Sequence, residues 1–164
     1  MASTDLVLQE QDHARFSDLL ERLREEANAK LTFLLDKNGQ QLARAGDLHG
    51  IDATSLASLT AGNVAATEGL AQLIGEQEFS ILFHEGENDH LHINVVGGRS
   101  ILVVLFDERS SLGLVRLRVK KASVELANAL DDIHRRSEAS TATAFGGASP
   151  FSEITDDDID ALFS

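Results

Sequence analysis

The stretch ATSLASLTAGNVAATEGLAQLIG, residues 53–75, carries one charged side chain, Glu68, in a chain in which 25% of residues are charged. Its apolar residues recur near helical spacing, which predicts one long helix with Asp52 as its N-cap and Gly75 at its C-terminal end. The large residues share one side of this helix and are expected to face the core: Leu56, Leu59, Leu70, Leu73 and Ile74. The small residues share the other side: Ser58, Ala61, Gly62, Ala65 and Gly69.

The small-residue side of this helix predicts a contact with another chain. Small side chains let a second backbone approach closely, and a solvated helix would normally carry Lys and Glu there. Tight packing within one chain is the alternative, because buried helices are also poor in charge. The sequence alone does not fix the orientation of Glu68, the single charge of the stretch.

Composition restricts the class of protein. A chain of 164 residues with 43% hydrophobic content is expected to form one domain plus appendages. The absence of cysteine excludes disulfides, cysteine-ligated metals and a thiol nucleophile, and the net charge of -13 disfavours nucleic-acid binding. The N-terminus lacks the features of a signal peptide, and residues 53–75 contain too many polar side chains for a membrane span, so we expect a cytoplasmic protein.

Hydrophobic spacing elsewhere predicts two amphipathic helices and five short strands. The dipeptide Asn38-Gly39 predicts a tight hairpin between the first two strands, because both residues tolerate positive φ. The last three strands have the spacing of an antiparallel meander. The predicted order is a helix at 11–28, strands at 31–35 and 41–45, the long helix, strands at 79–84, 90–96 and 101–106, and a helix at 111–136.

The C-terminal part differs from the rest in composition. Residues 137–150 are rich in Ser, Ala, Thr and Gly and are predicted to be a flexible linker. Residues 151–164 combine five large hydrophobes with five acids and contain no Lys or Arg, which predicts a short amphipathic helix that folds on a partner. Thr155 is its expected N-cap. The chain is thus divided into a domain at 1–136, the linker and the acidic C-terminal helix motif.

This order of elements resembles the Roadblock family, which is dynein-light-chain-like and Longin-related. Several segments are similar to the bacterial Roadblock proteins of the gliding-motility polarity system: 30–39, 51–66, 83–86, 111–117 and 154–163. The resemblance covers nearly the whole chain. It implies an α+β fold of order α-β-β-α-β-β-β-α, with a five-stranded antiparallel sheet between helices and an added C-terminal tail helix.

The resemblance also implies a function. Such a protein is a homodimer that activates a bacterial Ras-like small GTPase of the MglA type, which controls cell polarity and motility, and it is expected in the cytoplasm, concentrated at a cell pole. The dimer repositions the switch regions and catalytic residues of the GTPase, and it contributes no catalytic side chain and no cofactor. The chain itself has no G-x-x-x-x-G-K-[ST] motif for binding nucleotide phosphates. A Roadblock scaffold that localises a GTPase complex without accelerating hydrolysis is the alternative.

The residues that the resemblance assigns to the GTPase contact form two sets. Ala65 and Gly69 of the long helix are expected to touch the GTPase, with basic support from Arg15, Arg116, Arg118 and Lys120. The terminal motif is expected to dock elsewhere on the GTPase through Phe151, Ile154, Ile159, Leu162 and Phe163.

An arginine finger and a histidine metal site are two further chemical roles that the sequence suggests, and both have simpler explanations. Arg109 or Arg116 would be the candidate for an arginine finger supplied to the GTPase, although ordinary surface ion pairs explain both residues. His84, His90 and His92 lie close in sequence and suggest a metal site, but ligation needs convergent ligands with supporting contacts. Exposed strand histidines are the simpler expectation, and no enzymatic constellation is evident.

Overall fold

The computed structural model describes residues 8–146, with side chains described for residues 8–140. Its elements confirm the predicted α+β order. They are α1 (Glu10–Glu26), β1 (Leu31–Asp36), β2 (Gln41–Gly46), α2 (Ala53–Ile74), β3 (Ile81–Glu85), β4 (His90–Val96), β5 (Ser100–Phe106) and α3 (Leu112–Gly146).

The five strands form one antiparallel sheet of order β2-β1-β5-β4-β3. The first strand and the last are therefore neighbours at its centre, whereas β2 and β3 are its edges. The predicted Asn38-Gly39 turn joins β1 to β2, with Gly39 at φ +87°. The Asp36 carboxylate accepts hydrogen bonds from the backbone N–H groups of Asn38 and Gln40, both at 2.9 Å, which fixes this turn.

Helices cover both faces of the sheet. Ala57, Ala61 and Val64 of α2 share a buried cluster with Phe33 and Val103 on one face. On the other face, the Thr32 hydroxyl donates to the Leu20 carbonyl of α1 at 2.9 Å. The Asn94 amide donates to the Ser123 hydroxyl of α3 at 2.7 Å on that same face. The sheet therefore lies between α2 and the α1–α3 layer.

The apolar stripes predicted for α1 and α3 are buried, as expected. Phe16 and Leu20 of α1 and Val115 and Leu126 of α3 have no exposed surface. Helix α1 begins after Gln9, whose backbone N–H donates to the Asp12 carboxylate at 2.9 Å, a capping-box contact. These stripes hold the α1–α3 layer against the sheet.

Helix α3 ends later than predicted. It continues to Gly146, past the expected end at residue 136 and into the segment expected to be a linker. The composition of that segment limits core burial, but its alanines favour the helical state, and helix formation does not require burial. Residues Gln9–Leu130 form one compact unit, and the end of α3 from Asp131 belongs to a second. The three-segment division remains a prediction, and the C-terminal motif at 151–164 lies outside the described residues.

Candidate functional site

Helix α2 packs on the sheet through a different side from the one that its large residues predicted. Its buried residues are small or β-branched: Ala57, Thr60, Ala61, Val64, Thr67 and Ala71. The large residues expected in the core are instead exposed, with Leu59 at 74%, Leu70 at 58%, Leu73 at 83% and Ile74 at 67% of their full accessible surface. The prediction that these side chains face the core was therefore wrong.

Close packing explains this orientation. Alanine, valine and threonine let a helix lie near the sheet, and the Thr67 hydroxyl is satisfied by the Asn63 carbonyl at 2.8 Å. The β1–β2 turn also approaches α2, because a Cβ on Gly39 would lie 3.4 Å from the Ala57 carbonyl oxygen. Ala61, predicted to face another chain, is instead part of this core.

The exposed large residues form what we call the apolar ridge: Leu59, Leu70, Leu73 and Ile74. Asn63 lies on the same side of α2, and its amide nitrogen is 2.8 Å from Nε2 of His84 in β3. The ridge therefore lies on the side of α2 that is nearest β3, an unpaired edge of the sheet. Fully burying one such side chain stabilises a structure by about 1.5–3 kcal/mol. The ridge and the edge strand together have the properties of a protein–protein interface.

Next to the ridge lies the small-residue patch, which we define as Ser58, Gly62, Ala65 and Gly69. All four are exposed, and a Cβ added at either glycine would meet no atom within 4 Å. Glu68, whose orientation the sequence left open, is half-buried and bonded to the Lys37 ammonium at 2.6 Å. The one charge of α2 is therefore paired within the chain, and the patch itself is neutral.

The predicted basic contact residues lie on the other face of the sheet. Arg15 belongs to α1, and Arg116, Arg118 and Lys120 belong to α3. Arg118 is 4.0 Å from the Glu26 carboxylate. The α1–α3 layer is thus separated by the sheet from Ala65 and Gly69. The structure places the basic residues in the α1–α3 layer and does not bring them to the small-residue patch.

The arginine-finger candidates differ in their surroundings. Arg109 lies in the loop before α3 and makes a two-pronged ion pair with Asp107, with Nε 3.1 Å from Oδ1 and a terminal guanidinium nitrogen 3.1 Å from Oδ2. Arg116 is exposed on α3. The pairing of Arg109 agrees with the ion-pair explanation for that residue, and neither arginine lies on α2.

The three histidines considered as metal ligands do not converge. His84 lies on the α2 face of the sheet, whereas His90 and His92 lie on the α1–α3 face. His90 packs between two rings, with centroids 6.1 Å from Phe83 and 5.2 Å from Phe106. Within the described range, no group of three or more His, Cys, Asp or Glu residues is arranged to hold a metal ion.

His92 departs from the expectation of exposed strand histidines, because it is only 1% exposed. Neither ring nitrogen has a hydrogen-bond partner within the described part of the chain. Its cross-strand neighbours, Phe83 and Val104, are apolar. Burial is the main reason that the pKa of His92 lies below its usual value, and the nearby positive charge of Arg116 on α3 lowers this pKa further.

We expect this histidine to weaken the fold in acid. Below about pH 6.5 the unfolded chain binds a proton that folded His92 resists, so stability falls as pH falls. Changing His92 to Leu removes this effect and an unsatisfied polar group worth about 1–3 kcal/mol. The melting temperature of this variant should therefore fall less between about pH 8 and pH 5 than that of the unchanged protein. The difference should be about 2–4 °C for each kcal/mol of unfolding free energy that the unchanged protein loses over this range through His92. Changing exposed His13 of α1 to Gln is the control, and an equal pH dependence in both variants would contradict this role.

Comparisons with known proteins agree with this geometry. A Roadblock/LC7 domain model matches residues 15–106. The structure of MglB from Myxococcus xanthus is 55% identical, covers 77% of this chain and 96% of its own, and has a TM-score of 0.74. The gliding protein MglB of Thermus thermophilus is 36% identical over 80% of this chain and 99% of its own, with a TM-score of 0.73.

A third structure describes MglB with a tetrameric arrangement. It is 34% identical to this chain, covers 80% of it and 99% of its own length, and has a TM-score of 0.73. No curated protein matches the chain. Of the helices in the described residues, none has the length and apolar character needed to cross a membrane.

Proposed function

Because the chain belongs to the Roadblock/LC7 family, we propose that it is a homodimeric activator of a bacterial Ras-like small GTPase of the MglA type. The observation that carries the proposal is the open side of α2, where an apolar ridge adjoins a neutral patch of small residues. The similarity of the chain to MglB structures over most of its length supports a role of the same type. We place it in the cytoplasm, at a cell pole, where it controls polarity and motility.

The ridge is the proposed dimer contact. Four large side chains exposed on one helix cost free energy in water, and β3 presents unpaired backbone groups beside them. A two-fold axis next to β3 would cover both features at once, because a symmetric interface uses the same surface of each protomer. Burial of the ridge would leave the small-residue patch available for a different partner.

The patch is the proposed GTPase contact. Ala65 and Gly69 present no long side chain, so the backbone of a GTPase loop can approach α2 closely. Phosphoryl transfer is accelerated chiefly by positioning and charge stabilisation, which residues of the GTPase can supply once their loops are held in place. This activator therefore needs to order its partner, and it needs no catalytic group of its own.

A Roadblock scaffold is the second candidate function, because an open α2 surface would serve tethering equally well. Single-turnover GTP hydrolysis by the cognate GTPase, with and without this protein, separates the two. An activator raises the rate constant by at least about tenfold, or 1.4 kcal/mol of barrier. Binding without any change in that rate constant would favour the scaffold.

The terminal motif is the proposed second contact with the GTPase. Deleting residues 150–164 should weaken binding of the GTP-loaded partner by about tenfold or more, because a tethered second site raises effective concentration. Changing Phe151, Ile159, Leu162 and Phe163 to Ala should have the same effect. Titration calorimetry measures the affinity, and thermal melts confirm that the domain is intact. Equal affinity of the full-length and shortened proteins would assign the motif to another role.

A further inference from the structure

The small-residue patch has a different neighbour on each side. On one side the apolar ridge extends towards β3, because Asn63 contacts His84. On the other side Glu68 follows Ala65 by three residues, so the two are neighbours on the helix surface. The Glu68 carboxylate accepts a hydrogen bond of 2.6 Å from the ammonium of Lys37, which lies in the turn between β1 and β2. The patch therefore lies between the ridge and the β1–β2 hairpin.

A second cation of this hairpin lies on the same face of the sheet. Arg44 of β2 is directly opposite Phe33 of β1, and opposed residues of antiparallel strands point to the same face. Phe33 shares a buried cluster with Ala57 of α2, so Arg44 lies on the α2 face. Arg44 is nevertheless exposed, which means that α2 does not cover β2 at this position. The hairpin thus carries two cations, Lys37 and Arg44, beside α2.

Both cations have hydrogen-bond donors left for an acidic ligand. Within the described residues, Arg44 forms no ion pair, and Glu68 is the only carboxylate within 4.0 Å of the Lys37 ammonium. A lysine ammonium has three donors and an arginine guanidinium has five. Carboxylates of a bound protein would therefore find unused donors at both positions.

The Lys37–Glu68 ion pair adds little to the stability of the turn. The Asp36 carboxylate already fixes this turn through the backbone of Asn38 and Gln40. The side chains of Lys37 and Glu68 are 37% and 38% exposed. An ion pair in such surroundings stabilises a fold by only about 0–1 kcal/mol. What the pair does is keep the ammonium next to the patch, where a protein bound to the patch would meet it.

We propose that Lys37 and Arg44 bind carboxylates of the GTPase as it docks on the small-residue patch. This inference rests on the proposed function, because that function places the GTPase on the patch. Burial of the ridge in the dimer leaves the hairpin side open, so a GTPase that extends from the patch over the hairpin meets both cations. In a protein with a net charge of -13, a local excess of positive charge is what attracts the acidic part of a partner.

Association kinetics with the GTP-loaded GTPase, measured by stopped flow, test this role in the full chain. Changing Lys37 and Arg44 together to Gln should lower the association rate constant about tenfold at about 50 mM NaCl, because charges at the edge of an interface act chiefly on association. At about 500 mM NaCl, where salt screens these charges, the variant and the unchanged protein should agree within about twofold. At low salt the activator concentration that half-saturates GTP hydrolysis should rise in parallel, while the rate at saturation should not change.

Two further variants are matched controls. Changing exposed Arg22 and Lys121 of the α1–α3 layer to Gln removes the same net charge and should leave association unchanged. Changing Glu68 to Gln breaks the ion pair but keeps the charge of Lys37, so association should be at least as fast as for the unchanged protein. All of these positions are at least partly exposed, and thermal melts should show folded domains.

The outcomes separate this inference from the proposed function. If the unchanged protein binds the GTPase and the Lys37 and Arg44 variant associates equally fast, the inference alone is overturned. An equal loss in the Arg22 and Lys121 variant, or in the Glu68 variant, would overturn it as well. Failure of the unchanged protein to bind the GTPase would overturn the proposed function and this inference with it.

Discussion

Changing Ala65 and Gly69 together to Arg should return GTP hydrolysis by the partner to its unstimulated rate. Both positions are exposed, and a Cβ added at residue 69 meets no atom within 4 Å beyond the adjacent backbone of its own helix, so the domain should fold normally. The cost arises in the complex, where two long cations would occupy the space of the GTPase loop and require desolvation. A loss of about 3 kcal/mol would reduce stimulation by more than a hundredfold. Single-turnover hydrolysis over a range of activator concentrations measures the loss.

A matched variant separates the site from the added charge. Changing Ala14 and Ser17 of α1 to Arg adds the same two cations at exposed positions on the other face of the sheet. This variant should stimulate hydrolysis normally. Circular dichroism and light scattering must show that both variants are folded and keep the oligomeric state of the original chain. Stimulation that survives in the Ala65 and Gly69 variant would remove the small-residue patch from the contact.

The second large effect is expected at the apolar ridge. The unchanged protein at about 20 µM should scatter light with twice the 17.7 kDa mass of one chain. Changing Leu70 and Leu73 to Glu should yield monomers, because two carboxylates would replace the most apolar part of the interface and would have to be buried. Each lost leucine alone removes about 1.5–3 kcal/mol of burial. The two together should weaken the dimer by more than a hundredfold.

The control for this variant lies on α3. Leu117 and Val124 are as exposed as Leu70, and their change to Glu should leave the dimer intact. A monomeric mass for the unchanged protein would contradict the proposed assembly. A dimer that persists in the Leu70 and Leu73 variant would place the interface elsewhere on the domain.

The order of elements was predictable because each element has a local signal. The caps of α2 are an example: Asp52 accepts a hydrogen bond from Thr54 at 3.1 Å, and Gly75 ends the helix at φ +80°. The stripes of α1 and α3 were equally clear, since the residues at helical spacing, such as Phe16 of α1 and Val115 of α3, are the buried ones. Local signals of this kind require no knowledge of what surrounds the chain.

The orientation of α2 was not predictable from residue size. Large apolar residues usually mark the core, but here the sheet takes the side of the helix that permits the closest approach, and the large residues stay exposed. A signal was available in the sequence: Ala57, Thr60, Val64, Thr67 and Ala71 recur in steps of three and four, as a packed stripe does. The burial of His92 depends likewise on tertiary packing, which strand alternation does not reveal.

The sequence alone also could not show that the basic residues and the small-residue patch lie on opposite faces of the sheet. Arg15, Arg116 and Lys120 belong to helices whose place on the sheet depends on the sheet order. Only the structure shows that they share the face opposite Ala65 and Gly69. Within the described residues, the proposed GTPase contact therefore depends on α2 and not on these basic side chains.

The central pairing of β1 with β5 has a consequence for biosynthesis. Leu31 lies beside Leu105 and Asp36 beside Ser100, so the middle of the sheet forms only after the chain has been translated through β5. Until then, the β1–β2 hairpin on the ribosome has no neighbour along its inner edge. Contacts so distant in sequence slow folding and leave strand edges exposed to aggregation. Nascent chains of this protein should therefore be most prone to aggregation before the fifth strand has emerged from the exit tunnel.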